Sequence, residues 1–318
     1  MRQFTGVSDE HVLPEIVDPR YSREFYRRLQ RYMGGPAESA APSFRPFYLS
    51  WWRDHAGVRA EWLRKHMLAS LESQRPIRGL DVLDFGCGTG SSSVVLAEAG
   101  ARVVGVEPDE ISLAVATQRV VDLDYGDRIT LIRIPFLTGG AEERLPLEDC
   151  TVDVATLIGV LEHMLPKERR HCAAELTRLV KPGGDVFVYD TPNRLFPYDY
   201  HTTKLWLVGW MPTRAARWYA IARGRMDRHA DFQRRGGVGL LRRHIDDCFP
   251  SSQWTCVYEK SVSEVFSEVS AAVQRESGTV GSRLAGGALW AIVRASRLVN
   301  LRPSAWTASH VLMYRKRS

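Results

Sequence analysis

The chain reads as an α/β fold built on a largely parallel sheet, and three observations predict it. Short apolar segments alternate with amphipathic ones from residue 80 onward. The first of them, DVLDF at 81–85, runs straight into the glycine loop Gly86-Cys87-Gly88-Thr89-Gly90. The next, RVVGVE at 102–107, closes on an acid, as strands that feed a ligand site at their carboxyl ends do.

Core strands are predicted at 81–85, 102–107, 129–134, 152–158 and 185–190, with helices at 91–99, 109–121 and 166–180 between them. Lys181-Pro182-Gly183-Gly184 follows the last helix and reads as its stop signal. A helix in GLLRRHIDDCF, a strand at 254–260 and a final strand at 310–317 resume the pattern. Upstream, residues 1–78 are predicted to form an N-terminal helical cap. There SREFYRRLQRYM sets Phe25, Leu29 and Tyr32/Met33 on one face, and VRAEWLRKHMLASLES sets Val58, Trp62, His66/Met67 and Leu71 on another. The core occupies 79–190 and 237–318, with a second helical insert at about 262–300. Residues 191–236, rich in aromatic and basic side chains, form the expected substrate lid.

Composition narrows the function classes. With 318 residues, 44% hydrophobic and 25% charged, the chain has ordinary globular content. The net charge of +6 is spread over many helices, a solvated surface rather than a nucleic-acid groove. The five cysteines, Cys87, Cys150, Cys172, Cys248 and Cys256, are odd in number and lack a CxxC pair, so neither a disulfide framework nor a zinc site is expected. The N-terminus lacks the apolar segment of a signal peptide, and LAGGALWAIV is about half the ~20 residues that span a bilayer. A soluble, cytoplasmic chain is expected. Trp206, Trp210 and Trp218 among Arg214, Arg217, Arg223 and Arg225 leave peripheral membrane contact open.

The loop spacing is G-x-G-x-G, with Ser91 where a dinucleotide fingerprint needs its third glycine, and no Gly-Lys-Ser/Thr follows as in a phosphate loop. Glycine still permits the sharp turn and close backbone approach that a ligand requires. Glu107, ending the next strand, can take both hydroxyls of a ribose. The site therefore suits an adenosine-like ligand without a pyrophosphate.

Four ordered segments, VLDFGCGTG, VVGVEPD, LPLEDCTVDVATLIGVLEHM and LTRLVKPGGDVFVYDTPN, together resemble the class I S-adenosylmethionine-dependent methyltransferases of small-molecule type, over residues 80–195. The resemblance implies a Rossmann-like seven-stranded sheet of order 3-2-1-4-5-7-6 with the last strand antiparallel, and S-adenosyl-L-methionine as cofactor. By the same resemblance, Asp84 and the backbone of Gly86, Cys87, Gly88 and Gly90 hold the methionine end. Glu107 binds the ribose, Pro108 and Asp109 lie beside the adenine, and Ile158 and Gly159 line the pocket near the sulfonium. Relatives carry an aspartate four residues before the Leu-Pro pair to bind the adenine amino group. Here Ala141 stands there, and Glu142 is the expected substitute.

His163 follows Glu162 at the place that faces substrate in the family, and His201 lies in the lid; both are candidate general bases for a hydroxyl acceptor. Either histidine can equally be structural. Some relatives hold a divalent metal with a second acid three residues before the Glu-His pair. Gly159 occupies that position, so no metal is expected. The function expected is methyl transfer to a small, lipophilic or aromatic acceptor, with O-methylation favoured. A sugar or other polar metabolite is the second choice, and an NAD-dependent oxidoreductase or a non-catalytic cofactor-binding protein remains an alternative. Nucleic acid is disfavoured because IGVLEH replaces the Asn/Asp-Pro-Pro-aromatic tetrapeptide that grips a flipped base.

Overall fold

The computed structural model describes residues 18–34, 53–134, 144–226, 228–260 and 307–318. Glu142 and the helical insert expected at 262–300 lie outside the described residues. The strands are β1 (Asp81–Phe85), β2 (Arg102–Glu107), β3 (Ile129–Arg133), β4 (Val152–Ile158), β5 (Val180–Pro192), β6 (Trp254–Glu259) and β7 (Ser309–Lys316). They form one seven-stranded sheet in the order β3-β2-β1-β4-β5-β7-β6. β1, β2 and β3 pair in parallel, while β7 runs antiparallel to both β5 and β6. This is the expected order. No helix among the described residues is long and apolar enough to cross a membrane.

Contacts divide the chain into two compact units, Met1–Leu137 with Leu145–Thr156, and Thr138–Arg144 with Leu157–Ser318. In the first, helix α1 (Arg23–Met33) starts at Ser22, whose side chain accepts from the Phe25 amide, and stops at Gly34 in the left-handed conformation. Four consecutive helical segments follow, Asp54–Val58, Arg59–Trp62, Leu63–Leu68 and Ala69–Gln74, together α2. Two of them are π turns, and the buried stripe is Ala60, Leu63, Met67 and Leu71. Val58, expected inside, is 51% exposed: wider turns and small Ala56 and Ala60 rotate the stripe away from it.

Helices α3 (Ser91–Glu98) and α4 (Glu110–Asp122) complete this unit. α4 joins the N-terminal helices to the glycine loop. Asp122 accepts from the amide and hydroxyl of Ser22. Arg119 is fully buried, with its guanidinium over the Tyr21 and Phe25 rings. It donates to the Thr89 carbonyl, the His55 carbonyl and the Tyr21 hydroxyl.

In the second unit α5 (Pro166–Leu179) ends one residue earlier than the stop signal implies, and Lys181–Gly184 belong to β5. The helix end is closed from elsewhere: Lys316 Nζ donates to the Thr177 and Val180 carbonyls, both at 2.7 Å. The stretch after β5 builds a small core of its own from Leu205, Val208, Ala216, Ala220, Met226 and Phe232. Its one α-helix among the described residues is α6 (Thr213–Ala222). Trp206, Trp210 and Trp218 stay exposed. α7 (Arg242–Asp246) precedes β6.

Buried His310, on β7, carries a pH dependence. Burial pushes its pKa down to about 4, while its hydrogen bond to the Leu240 carbonyl opposes the shift. The folded value lies below the ordinary 6.5, so the unfolded chain binds more protons between the two, and stability is lost as pH falls through that window. At pH 5 the loss amounts to about 2 kcal/mol. Urea midpoints at pH 7.5 and pH 5 should therefore differ more for the native chain than for His310→Gln. Equal differences would remove His310 from the account.

Candidate active site

The glycine loop is set by backbone geometry. Gly86, Gly88 and Gly90 all have positive φ, at 74°, 54° and 81°. Gly86 and Cys87 donate to the Val106 carbonyl, and Gly90 donates to Cys87. A Cβ on Gly90 would stand 3.0 Å from the Ala116 Cβ, so α4 closes against the loop there. A Cβ on Gly88 would meet nothing within 4 Å, which leaves open space on that side of the loop for a ligand.

Glu107 ties the loop to the start of α4. Its two oxygens accept from the Gly88 amide at 2.9 Å and the Asp109 amide at 3.0 Å. Burial raises its pKa, and those two backbone donors oppose the rise. Asp84 is buried, with one oxygen taken by the hydroxyls of Ser92 and Ser93 and the other by Thr156. Burial raises its pKa as well, against those three hydroxyls. Pro108 precedes the cap of α4, where Asp109 accepts from the amide and hydroxyl of Ser112. Burial pushes the Cys87 thiol well up, which suits packing and not nucleophilic attack. Sequence reasoning passed over Thr89, whose hydroxyl meets His55 Nδ1 at 3.1 Å and whose carbonyl holds Arg119.

In the second unit Ile158 is buried at the end of β4, and Gly159 at φ 64° donates its amide to the Tyr189 carbonyl. A 3-10 turn, Leu161–His163, then presents Glu162 with a side chain that is 0% exposed. The two candidate histidines meet at this carboxylate. His163 Nε2 lies 3.8 Å and His201 Nε2 3.7 Å from Glu162 Oε1, with the rings 5.3 Å apart.

Each histidine is positioned through its other nitrogen. His163 Nδ1 meets the Arg234 carbonyl at 2.8 Å, and His201 Nδ1 meets the Thr202 hydroxyl at 3.2 Å. Asp199 holds the turn carrying His201, accepting from the amides of His201, Thr202 and Thr203. Arg234 is clamped by both oxygens of Glu168, and Gln233 donates to the Glu162 carbonyl. The sequence singled out both histidines but not Glu162, their common neighbour. The adjacent Glu-His pair was the available signal.

Residues 83–188 match the family described as Methyltransferase domain. The sheet order and the glycine loop agree with it. That stretch of the chain is therefore similar to methyltransferase domains. The chain is 32% identical over 167 residues to a probable S-adenosylmethionine-dependent methyltransferase of Mycolicibacterium smegmatis, covering 51% of this chain and 57% of that one. It thus spans little more than half of that relative's length. It is 28% identical over 269 residues to a ubiquinone biosynthesis O-methyltransferase of Maricaulis maris, covering 78% of this chain and 93% of the relative. A magnesium protoporphyrin IX methyltransferase structure from Synechocystis PCC 6803 aligns over 92% of this chain and 94% of its own, at TM-score 0.46 and 16% identity.

Proposed function

We propose that this chain is an S-adenosylmethionine-dependent methyltransferase of a small acceptor, and that the acceptor atom is a hydroxyl oxygen on a lipophilic or aromatic frame. The observation that carries the reading is the convergence of His163 and His201 on buried Glu162. Attack by a hydroxyl requires loss of its proton, and such a cluster is where the proton can be taken; amines and carbanions have less need of it. The Maricaulis maris relative, an O-methyltransferase by name, supports the same choice. So do exposed Trp206, Trp210 and Trp218 on a stretch rich in arginine, a composition suited to lipophilic surroundings.

S-adenosylmethionine supplies a methyl group already activated on a sulfonium. The residues here have the remaining tasks of holding, orienting and deprotonating. Gly86, Cys87, Gly88 and Gly90 give the cofactor loop its backbone, and Glu107 supplies the ribose carboxylate. Asp84 and Asp109, both bonded within the protein, act by shaping the loop and the α4 entry that sets Pro108. Ile158, Gly159 and Glu142 keep the lining and adenine roles that the family pattern suggests. Orientation alone can contribute about 7–11 kcal/mol of barrier reduction, and a proton acceptor a further ~10²–10⁴-fold.

Incubation of the protein with methyl-labelled S-adenosylmethionine and an extract of its host tests the reading. Protein-dependent label in the organic phase is expected. Label confined to the aqueous phase would overturn the lipophilic acceptor and bring sugars or other polar metabolites forward.

A further inference from the structure

We propose that Arg119 is a positioning residue for the cofactor, holding Thr89 and with it the glycine loop, and that docking of the N-terminal helices sets how firmly it does so. The inference rests on the reading that this loop holds S-adenosylmethionine.

A guanidinium taken out of water needs acceptors for its N–H groups. Each of the three nitrogens of Arg119 has one, and each acceptor belongs to a different segment. Nε donates to the Thr89 carbonyl in the loop at 2.8 Å. One terminal nitrogen donates to the His55 carbonyl in α2 at 2.6 Å, and the other to the Tyr21 hydroxyl ahead of α1 at 2.5 Å. None of these acceptors is a carboxylate. The charge is held by dipoles and by the faces of Tyr21 and Phe25, whose ring centres lie 5.1 and 4.9 Å from the guanidinium carbon. Burial lowers the pKa of Arg119, and Tyr21 opposes that shift. The phenol and both rings come from the N-terminal segment. Undocking that segment opens the guanidinium to water, which then competes for the bond to Thr89.

Thr89 is where the loop is gripped. It lies between Gly88 and Gly90, whose positive φ angles shape the turn, and is itself buried. Its carbonyl is held by Arg119 from α4, and its hydroxyl meets His55 Nδ1 from α2 at 3.1 Å. Ala116, one turn before Arg119, closes on Gly90. The N-terminal side is tied just as closely. Tyr21, Phe25, Tyr26 and Leu29 pack with Ala56 of α2 and Val115 of α4 in one cluster, and the Tyr21 and Phe25 rings stack at 4.1 Å. The bonds from Ser22 to Asp122 attach the same segment to α4 without involving the guanidinium. Docking and loop order therefore share one buried cation. Such coupling is reciprocal: cofactor in the loop tightens the N-terminal helices by the factor that their docking tightens the cofactor.

Calorimetric titration of the full chain with S-adenosylhomocysteine, together with amide exchange over α1, tests the proposal. Tyr21→Phe removes one hydroxyl, keeps the ring, and reaches the loop through Arg119. It should raise the dissociation constant at least about fivefold, the low end of ordinary coupling between sites. Ser22→Ala costs the helix its cap and its bonds to Asp122 but leaves Arg119 its partners. Its affinity should stay within about twofold of native, as for an independent site. In the native chain, free of any folding defect, saturating S-adenosylhomocysteine should slow amide exchange over Arg23–Met33 at least about fivefold. That slowing should shrink in Tyr21→Phe. A residue that merely packs would lower stability without moving this readout.

Unchanged affinity in a folded Tyr21→Phe chain, exchange in α1 indifferent to the ligand, or an equal loss in Ser22→Ala would overturn the proposal. A native chain that does not bind S-adenosylhomocysteine would remove the proposed function along with it. Binding with the coupling intact, in a chain that transfers no methyl group, would keep the role of Arg119 and remove that function alone.

Discussion

Replacing Glu107 with alanine should raise the dissociation constant for S-adenosylhomocysteine about 100-fold, the largest effect expected on the cofactor side. The two oxygens of Glu107 accept from the amides of Gly88 and Asp109. Hydrogen bonds to a charged group contribute about 1.5–3 kcal/mol each. Loss of the carboxylate frees the middle glycine of the loop and the entrance to α4, and in the proposed role it also removes the ribose ligand. A net loss near 2.7 kcal/mol corresponds to about 100-fold in affinity. Glu107→Gln keeps the shape but places an N–H2 group against one backbone N–H, so its loss should be intermediate. Calorimetric titration of the three proteins decides the matter. A change under about threefold in Glu107→Ala would mean that the carboxylate serves the fold alone.

His201→Ala should lower kcat by about 10²–10⁴-fold and leave cofactor affinity close to native. The side chain is 25% exposed, and the turn beneath it is held by Asp199 rather than by the imidazole. Stability should therefore fall little. Steady-state kinetics on an acceptor found in the labelling experiment supply the split between kcat and the KM for S-adenosylmethionine. A fall in kcat under about threefold would leave His201 a packing residue. A parallel loss of cofactor affinity would mean that the change reached well beyond the Glu162–His163–His201 group.

Where strong local chemistry and burial coincide, the sequence is legible. β1, β2 and β4 fall on their predicted residues because each is an apolar run bounded by turn signals. The glycine loop was equally plain, since three alternating glycines have few other uses. Features set by distant contacts were hidden. Ser92 and Ser93 look like surface residues on a helix, yet they are buried because Asp84 accepts both hydroxyls. Arg119 has the pattern of a solvent-facing cation, but Phe25 of α1 and Tyr21 just before it place two rings on it. Glu162 attracted less weight than the histidine beside it, because no local signal announces that a carboxylate will be buried. Its pairing with His201 is non-local and invisible to periodicity.

The position of β7 has a consequence for the order in which the protein can be made. β5 leaves the ribosome well before residues 309–316, yet β7 is its neighbour, and among the described residues β6 pairs with β7 alone. Until that late segment appears, β5 exposes an unpaired apolar edge, and such edges recruit other chains. The nascent chain is thus open to aggregation in the interval between the appearance of β5 and that of β7, when most of its sheet already exists. Loss of these eight residues would remove a strand from inside the sheet. The same event would withdraw Lys316 from the end of α5, so the sheet and the helix would be completed in one late step.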